Sequence, residues 1–186
     1  EFTLSNCFHK IKNYDQASEH LQLANKNSST VSPSNYDYLQ QAIESNLLHF
    51  DSGDKTTIDP NYGKNRIFIV GMPRSGSTLL ETILSMNPDI KDLGESRSLK
   101  RAITKCDRRE ECNSGTKSLC EIYSQMEPIN DAEFKYTTDK NLYNFIYVNW
   151  INTHMPAAKI IQCRRNPLDN ILSMYRSNLY AGNSYT

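Results

Sequence analysis

The sequence has no excess of charge of either sign, because 21 basic side chains balance 21 acidic ones over 186 residues. A domain that binds nucleic acid through a broad electrostatic surface is normally more basic, so we expect no nucleic-acid partner and only local anion sites. No stretch approaches the roughly 20 apolar residues of a membrane-spanning helix, so we expect no membrane partner for this segment.

Cysteines are few and irregularly spaced. They are Cys7, Cys106, Cys112, Cys120 and Cys163, and none belongs to a Cys-x-x-Cys pair. We therefore predict no zinc site. Most of the cysteines are expected to be free or buried thiols in a reducing compartment, which predicts a cytoplasmic protein. A Cys106–Cys112 or a Cys112–Cys120 bridge stays open, because spacing alone does not fix connectivity.

Residues 1–26 carry apolar or small side chains at helical spacing, interrupted by polar residues at 12–15. This pattern predicts two short helices joined by a turn, and it resembles one tetratricopeptide repeat. An ordinary helical hairpin stays open, because a single copy shows no period. A lone repeat buries its exposed face poorly, so we expect further repeats before Glu1.

Polar segments divide the chain. Residues 27–35 predict a linker, and Leu39, Ile43 and Leu47 then predict a helix of about three turns. The predicted organisation is a short all-α, repeat-like segment over 1–50, a linker over 51–65 and one P-loop-like domain over 66–186.

Beyond residue 66, strand-like and helix-like segments alternate. Short apolar runs predict strands at 67–70 and 159–163, with a further strand within 135–140. Helical patterns predict helices near 76–86, 96–105, 117–126, 143–154 and 167–179. This alternation predicts an α/β domain in which helices flank a parallel sheet.

The stretch IFIVGMPRSGSTLL, residues 67–80, has the spacing of a phosphate-binding loop at Gly71, Gly76 and Thr78. In the nucleoside-triphosphate P-loop a lysine follows the second glycine and reaches the β- and γ-phosphates, but here Ser77 takes its place. The pattern therefore favours a ligand with a single phosphate at this point. The alternative is a strand–turn–helix in which a serine only caps the helix.

The loop offers several groups to an anion. Backbone N–H groups and the positive end of the dipole lie at the start of the predicted helix. Ser75, Ser77 and Thr78 add hydroxyl donors, and Arg74 can form paired hydrogen bonds to a phosphate or sulfate.

A second strand–turn–helix contains CRRNPLDNILSMYRSN, residues 163–178. Asn166 is a predicted N-cap and Pro167 the first helical residue. Arg165 ends the strand and Ser173 follows eight residues later, about two turns into the helix, so the two can bind one phosphate from opposite sides. Taken alone, this stretch fits solvated arginines and an unremarkable serine better than a phosphate site.

Together the two stretches closely resemble the nucleotide-binding motifs of sulfotransferases. The likeness is greatest to the branch that includes tyrosylprotein sulfotransferases and bacterial enzymes with tetratricopeptide repeats in front. The resemblance implies 3′-phosphoadenosine 5′-phosphosulfate (PAPS) as the donor. PAPS has no β- and γ-phosphates, which explains the missing lysine, and its 3′-phosphate needs a second anion site. The resemblance implies no metal, because Mg²⁺ in P-loop enzymes bridges the β- and γ-oxygens.

The resemblance also implies roles for individual residues. The 5′-phosphosulfate would be held by Arg74, Ser75, Gly76, Ser77 and Thr78. The 3′-phosphate would be held by Arg165 and Ser173. The family more often has Asp where this chain has Asn166, a change that we expect to be tolerated.

By the same resemblance, Glu95 is the general base that takes the proton of the acceptor. Lys140, in a similar Asp-Lys pair after a strand, would stabilise the leaving phosphate together with Arg74. Glu81, on the loop helix, is a weaker candidate for the base. Without the resemblance, Glu95 fits a helix start and Lys140 fits a surface lysine at a strand end.

The predicted reaction is an in-line sulfuryl transfer to a hydroxyl or amine. A peptide, a carbohydrate and a small molecule all remain open as the acceptor. Both ends of the chain are expected to be cut, with the C-terminal part of the domain missing, so this fragment is expected to bind nucleotide weakly or to be inactive.

Two other classes stay open. One is a degenerate P-loop kinase or NTPase, disfavoured by the missing lysine and by the lack of an evident acidic residue at the end of a second strand. The other is a non-catalytic helical-repeat scaffold.

Overall fold

The computed structural model describes residues 1–48, 58–107, 118–130 and 133–179. The described elements, in chain order, are α1 (Phe2–Lys10), α2 (Tyr14–Val31), α3 (Tyr36–Leu48), β1 (Arg66–Gly71), α4 (Ser77–Ser85), β2 (Ile90–Asp92), α5 (Ser98–Asp107), α6 (Leu119–Met126), β3 (Tyr136–Asp139), a 3₁₀ helix (Leu142–Tyr147), α7 (Val148–His154), β4 (Lys159–Cys163) and α8 (Pro167–Tyr175). The chain forms two compact units, residues 1–43 with 165–186, and residues 44–164.

In the first unit, α1 and α2 pack as an antiparallel hairpin through small residues. Ala17 and Ala24 are buried, and the Ser5 hydroxyl donates to the Ala17 carbonyl over 2.8 Å. Asn13 caps α2 by accepting from the backbone N–H of Gln16 over 3.3 Å. These contacts bring the two helix backbones close together.

Helix α2 is longer than the sequence predicts. It continues to Val31, so the prediction of a linker from residue 27 is wrong over its first five residues. The helix ends before Ser32, whose successor Pro33 disfavours helical geometry at the residue in front of it. Part of the predicted 51–65 linker lies outside the described residues.

In the second unit, four parallel strands form one sheet in the order β2-β3-β1-β4. Strand β1 lies between β3 and β4, with Phe68 opposite Asp139 on one side and Ile160 on the other. The predicted α/β fold with a parallel sheet flanked by helices is confirmed. The short strand β2 was not predicted.

The core of this unit lies between the sheet and helices α5, α6 and α7. It centres on Phe68 and Tyr123, whose ring centroids are 5.7 Å apart, and both side chains are fully buried. The other fully buried apolar side chains around them are Leu99, Ala102, Leu119, Ile122, Ile151 and Met155. This packing fixes β1, and with it the loop that follows at Gly71.

Two local predictions need correction. The helix predicted over 143–154 is a 3₁₀ helix followed by α7, and the last predicted helix ends at Tyr175.

Cys106 is disulfide-bonded, whereas Cys120 is a free, buried thiol, so a Cys112–Cys120 bridge is not formed. Within the described ranges, no helix has the length and apolar character needed to cross a bilayer.

Candidate nucleotide site

The loop after β1 is shaped by residues with positive φ. Gly71 has φ +150°, and a Cβ there would lie 2.6 Å from the Cys163 carbonyl oxygen, so no larger residue fits. Arg74 and Gly76 have φ values of 66° and 95°, in the left-handed region. A non-glycine residue in this region costs of order 1 kcal/mol or more, which the surrounding packing must offset.

Helix α4 begins without a side-chain cap. Its N-cap residue is Gly76, and no side-chain capping hydrogen bond is formed there among the described residues. The first N–H groups of a helix have no partner within the helix, and they favour an anion. The start of α4 can therefore receive a phosphate.

Ser75 supports this interpretation. Its hydroxyl oxygen is buried and has no hydrogen-bond partner among the described residues. A buried, unpaired hydroxyl is unfavourable, and a bound ligand oxygen would satisfy it. Ser77, the residue in place of the P-loop lysine, is buried in the first turn of α4.

Lys140 brings a positive charge to this loop from the end of β3. Its Nζ lies 3.4 Å from the Thr78 hydroxyl oxygen, and 8% of its side chain is exposed. It also lies 3.1 Å from a Glu95 carboxylate oxygen and 3.9 Å from one of Glu81. The structure therefore brings Lys140, Glu95 and the loop together.

Glu81 is more closely tied to this cluster than the sequence suggests. It lies on α4 but faces the sheet, where it is buried and accepts a hydrogen bond from the Thr138 hydroxyl over 3.0 Å. Burial raises the pKa of the Glu81 carboxyl; the Thr138 hydrogen bond and Lys140 lower it in part, while nearby Asp92 raises it further. The Glu81 carboxylate is thus a fixed part of the site, in contrast to the exposed one of Glu95.

The segment that carries Glu95 is held by its backbone and its neighbours. The Lys140 N–H donates to the Gly94 carbonyl over 2.8 Å, and the Asn141 amide donates to the Ser96 carbonyl over 2.8 Å. The Ser96 hydroxyl also donates to the Glu127 carboxylate over 2.7 Å. With 72% of its own side chain exposed, Glu95 can reach an acceptor at the mouth of the site.

Asp139 lies beneath the site and was not predicted. Its carboxylate accepts hydrogen bonds from the Tyr123 hydroxyl and the Asn144 amide, each over 2.9 Å. Burial raises its pKa to about 6, against the lowering effect of the Tyr123, Asn141 and Asn144 hydrogen bonds. Strand β3 lies next to β1 and ends in this acidic residue. The sequence analysis assigned it no role, because the Asp-Lys pair was interpreted for Lys140 alone.

Residues 165–178 of the second motif lie in the first unit. The Asn166 side chain accepts from the backbone N–H groups of Leu168 and Asp169 over 3.0 and 3.3 Å, which confirms the predicted N-cap. Arg165 directly precedes this cap, and Ser173 lies in the second half of α8, where its carbonyl accepts from the Ser177 hydroxyl over 2.6 Å.

A sequence comparison extends across the described sheet and both motifs. The family model described as "Sulfotransferase family" matches residues 66–186. A protein of Aquifex aeolicus (strain VF5), described only as "Uncharacterized protein", is 30% identical over 207 aligned positions. That alignment covers 97% of this chain and 26% of the relative, so the chain spans about a quarter of the relative's length.

Proposed function

Because this chain belongs to the sulfotransferase family, we propose that it forms the donor-binding part of an enzyme that transfers a sulfuryl group from PAPS to a hydroxyl or amine. The observation that carries the proposal is the start of α4. There an uncapped helix end and a buried, unpaired Ser75 hydroxyl lie in the same loop, and the Lys140 ammonium lies 3.4 Å from the Thr78 hydroxyl oxygen in the first turn.

The 5′-phosphosulfate occupies this position in the proposal. The N–H groups at the start of α4 and the hydroxyls of Ser75 and Thr78 donate to the phosphate oxygens. Arg74, held with positive φ at the tip of the loop, adds paired hydrogen bonds to the same group. A triphosphate would lack the lysine that its β- and γ-phosphates require, because Ser77 stands in that place.

The proposed reaction is an in-line displacement at sulfur. The acceptor oxygen or nitrogen forms a bond to sulfur while the bond between sulfur and the 5′-phosphate oxygen breaks. Glu95 takes the acceptor proton, and the electron pair of the broken bond stays on the phosphate, where Lys140 and Arg74 stabilise the added charge. Glu95 is paired with Lys140 over 3.1 Å, so in the proposed reaction the two must separate as donor and acceptor bind.

The roles of Arg165 and Ser173 rest on the sequence motif. Arg165 lies just before α8 and Ser173 lies in its second half. The guanidinium of the first and the hydroxyl of the second are suitable donors to the 3′-phosphate, and this phosphate distinguishes PAPS from ordinary adenine nucleotides. The acceptor, whether a peptide, a carbohydrate or a small molecule, stays open, and so do cytoplasmic location and the tyrosylprotein-like branch.

Calorimetric titration with adenosine 3′,5′-bisphosphate, the product of PAPS, tests the donor site. We expect this ligand to bind more tightly than ATP with Mg²⁺. Loss of a charged hydrogen-bond donor costs roughly 1.5–3 kcal/mol, so Arg74→Ala should weaken binding by about 10- to 100-fold. Lys135→Ala is the matched control, because Lys135 is an exposed cation paired with Asp89.

Binding of ATP with Mg²⁺ alone would instead support a degenerate kinase or NTPase. Binding of neither nucleotide, either by this chain or by a longer protein in which the sequence is extended past Thr186, would support a non-catalytic scaffold. Equal binding by Arg74→Ala and the parent chain would move the site away from this loop.

A second experiment tests the general base in the longer protein. Glu95→Gln keeps the size of the side chain but cannot accept a proton at neutral pH. We expect sulfate transfer from radiolabelled PAPS to a panel of acceptors to fall by roughly 10²- to 10⁴-fold, with bisphosphate binding retained. Full activity of Glu95→Gln would exclude this residue as the base.

A further inference from the structure

The Lys140 ammonium lies beside the residue whose counterpart binds a metal ion in P-loop enzymes. Thr78 has the motif position whose hydroxyl binds Mg²⁺ in the nucleoside-triphosphate P-loop. In this chain the Thr78 hydroxyl oxygen instead faces the Lys140 Nζ at 3.4 Å. A protein cation therefore stands beside the oxygen that elsewhere holds a metal ion.

The other neighbours of this ammonium are also typical of a metal site. Carboxylate oxygens of Glu95 and Glu81 lie 3.1 and 3.9 Å from the Lys140 Nζ. Two carboxylates and a hydroxyl are the hard oxygen ligands that Mg²⁺ and Mn²⁺ prefer. The ammonium thus neutralises one negative charge in a cluster that would otherwise attract a divalent cation.

The strand that delivers Lys140 supports the same interpretation. In P-loop NTPases an acidic residue also helps to hold the metal. Strand β3 lies beside β1 and ends in Asp139, but its carboxylate bonds to Tyr123 and Asn144 in the core. The acid is directed away from Thr78, and the next residue, Lys140, is directed toward it.

We propose that the Lys140 ammonium replaces the divalent cation of P-loop NTPases, and that Glu81 is the positioning residue that holds it beside Thr78. Glu81 suits this role because its carboxylate is buried and fixed by the Thr138 hydroxyl. Glu95 does not, because under the proposed function it must leave the ion pair to take the acceptor proton. In that respect the inference rests on the proposed function, although the geometry around Thr78 is independent of it.

Mn²⁺ binding, followed by electron paramagnetic resonance, tests the inference without any nucleotide. Lys140→Met removes the ammonium and should create a Mn²⁺ site at least about tenfold tighter than any in the parent chain. Lys140→Met combined with Glu81→Gln should lose that gain, because one of the two carboxylates is gone. Lys135→Met is the matched control, since it frees only the exposed Asp89 carboxylate and should gain no site.

The inference fails if folded Lys140→Met, checked by circular dichroism, binds no more Mn²⁺ than the parent chain. It also fails if the added Glu81→Gln change has no effect. Should Lys140→Met not fold, the parent chain still decides: its affinity for adenosine 3′,5′-bisphosphate should be the same, within about twofold, in Mg²⁺ and in EDTA. A tenfold gain in Mg²⁺ would contradict the replacement. Absence of bisphosphate binding would contradict the proposed function, while the Mn²⁺ titration would still test the inference.

Discussion

The two strand–turn–helix motifs of this chain begin their helices in opposite ways. Helix α4 starts after Gly76, which has a φ of 95° and no side chain to cap the first turn. Helix α8 starts after Asn166, whose side chain accepts from the N–H groups of Leu168 and Asp169. The first helix leaves its end available for an external anion, whereas the second satisfies its own N–H groups.

This difference indicates how each motif can contribute to nucleotide binding. The loop before α4 can bind a phosphate through its backbone, so the ligand must come close and the glycines are required. Around α8 the capped helix end offers less to a ligand, and any contact must come from side chains such as Arg165 and Ser173. Ligand binding by the first motif therefore depends on its backbone conformation, and binding by the second depends on the identity of its side chains.

The residues around the two motifs also differ in how far they are buried. Around α4, the polar residues Ser77, Glu81, Asp139 and Lys140 are all at most 6% exposed. On α8, by contrast, several large apolar side chains are more than half exposed, namely Leu168, Ile171 and Leu172. Substitutions in the first motif should accordingly cost stability as well as binding, while those in the second should cost little stability.

The largest expected effect comes from replacing Gly71, the first glycine of the first motif. Gly71→Ala places a Cβ 2.6 Å from the Cys163 carbonyl oxygen at a φ of +150°, so we expect a loss of about 4 kcal/mol from strain and overpacking. Gly94→Ala is the control, because its φ is +59° with no atom within 4 Å of the new Cβ, and it should cost only about 1 kcal/mol. Urea unfolding measures both; equal losses would show that β4 does not constrain the loop.

The next largest effect is a dependence of the free energy of unfolding on pH. The Asp139 carboxyl has an ordinary pKa of 3.8 and a folded pKa of about 6. Its protonated form therefore favours folding below about pH 3.8, and this contribution is lost as the pH rises through 6. Between pH 4 and pH 7.5 the stability of the parent chain should fall relative to Asp139→Asn by about 2.4 kcal/mol.

Urea unfolding of both proteins at pH 4 and pH 7.5 measures this difference. Asp89→Asn, at an exposed carboxylate paired with Lys135, is the control substitution. A constant difference between Asp139→Asn and the parent chain would mean that folding does not raise the pKa of Asp139.

A smaller effect should follow from giving the first helix the cap of the second. Asn tolerates the left-handed region, so Gly76→Asn should cost at most about 1 kcal/mol of stability. Its side chain competes for the N–H groups of α4, and the affinity for adenosine 3′,5′-bisphosphate should fall by about tenfold, or 1.4 kcal/mol. Unchanged affinity in calorimetry would show that those N–H groups do not bind the ligand.

The smallest effect is expected at the cap of the second helix. Asn166→Ala removes two hydrogen bonds and should cost about 1 kcal/mol of stability. Asn166→Asp keeps the cap, so the stability should change by less than about 0.5 kcal/mol. If Asn166→Asp destabilised as much as Asn166→Ala in thermal unfolding, the charge beside Arg165 rather than the cap would matter.

The sequence predicts well the parts of the fold that carry strong local signals. β1 and β4 are short apolar runs, α8 has an Asn-Pro start, and all three lie within a few residues of their predicted bounds. Residues 27–31 were misjudged because their polar composition suggests a linker, although nothing in them stops a helix before Pro33. The strand β2 has only three residues and forms through its pairing with β3, which local sequence does not encode.

The candidate site was predictable in part for the same reason. The spacing of Gly71, Gly76 and Thr78 is local, and it identified the loop. The meeting of Glu81 with Thr138 and Lys140 depends on contacts 57 or more residues apart along the chain, which only the parallel pairing of β1 with β3 brings about. The resemblance to sulfotransferases suggested Lys140 and Glu95, with Glu81 as a weaker candidate for the base, but not the buried carboxylate of Asp139.

The most direct test of the account is a set of ¹H–¹⁵N spectra of the chain as adenosine 3′,5′-bisphosphate is added. If the uncapped start of α4 binds the 5′-phosphate, the amides of Ser75, Gly76, Ser77 and Thr78 should shift strongly downfield and saturate together. The amides of Leu168 and Asp169, already bonded to Asn166, should move less. Large shifts at α8 with an unperturbed loop would contradict the assignment of the donor phosphate to α4.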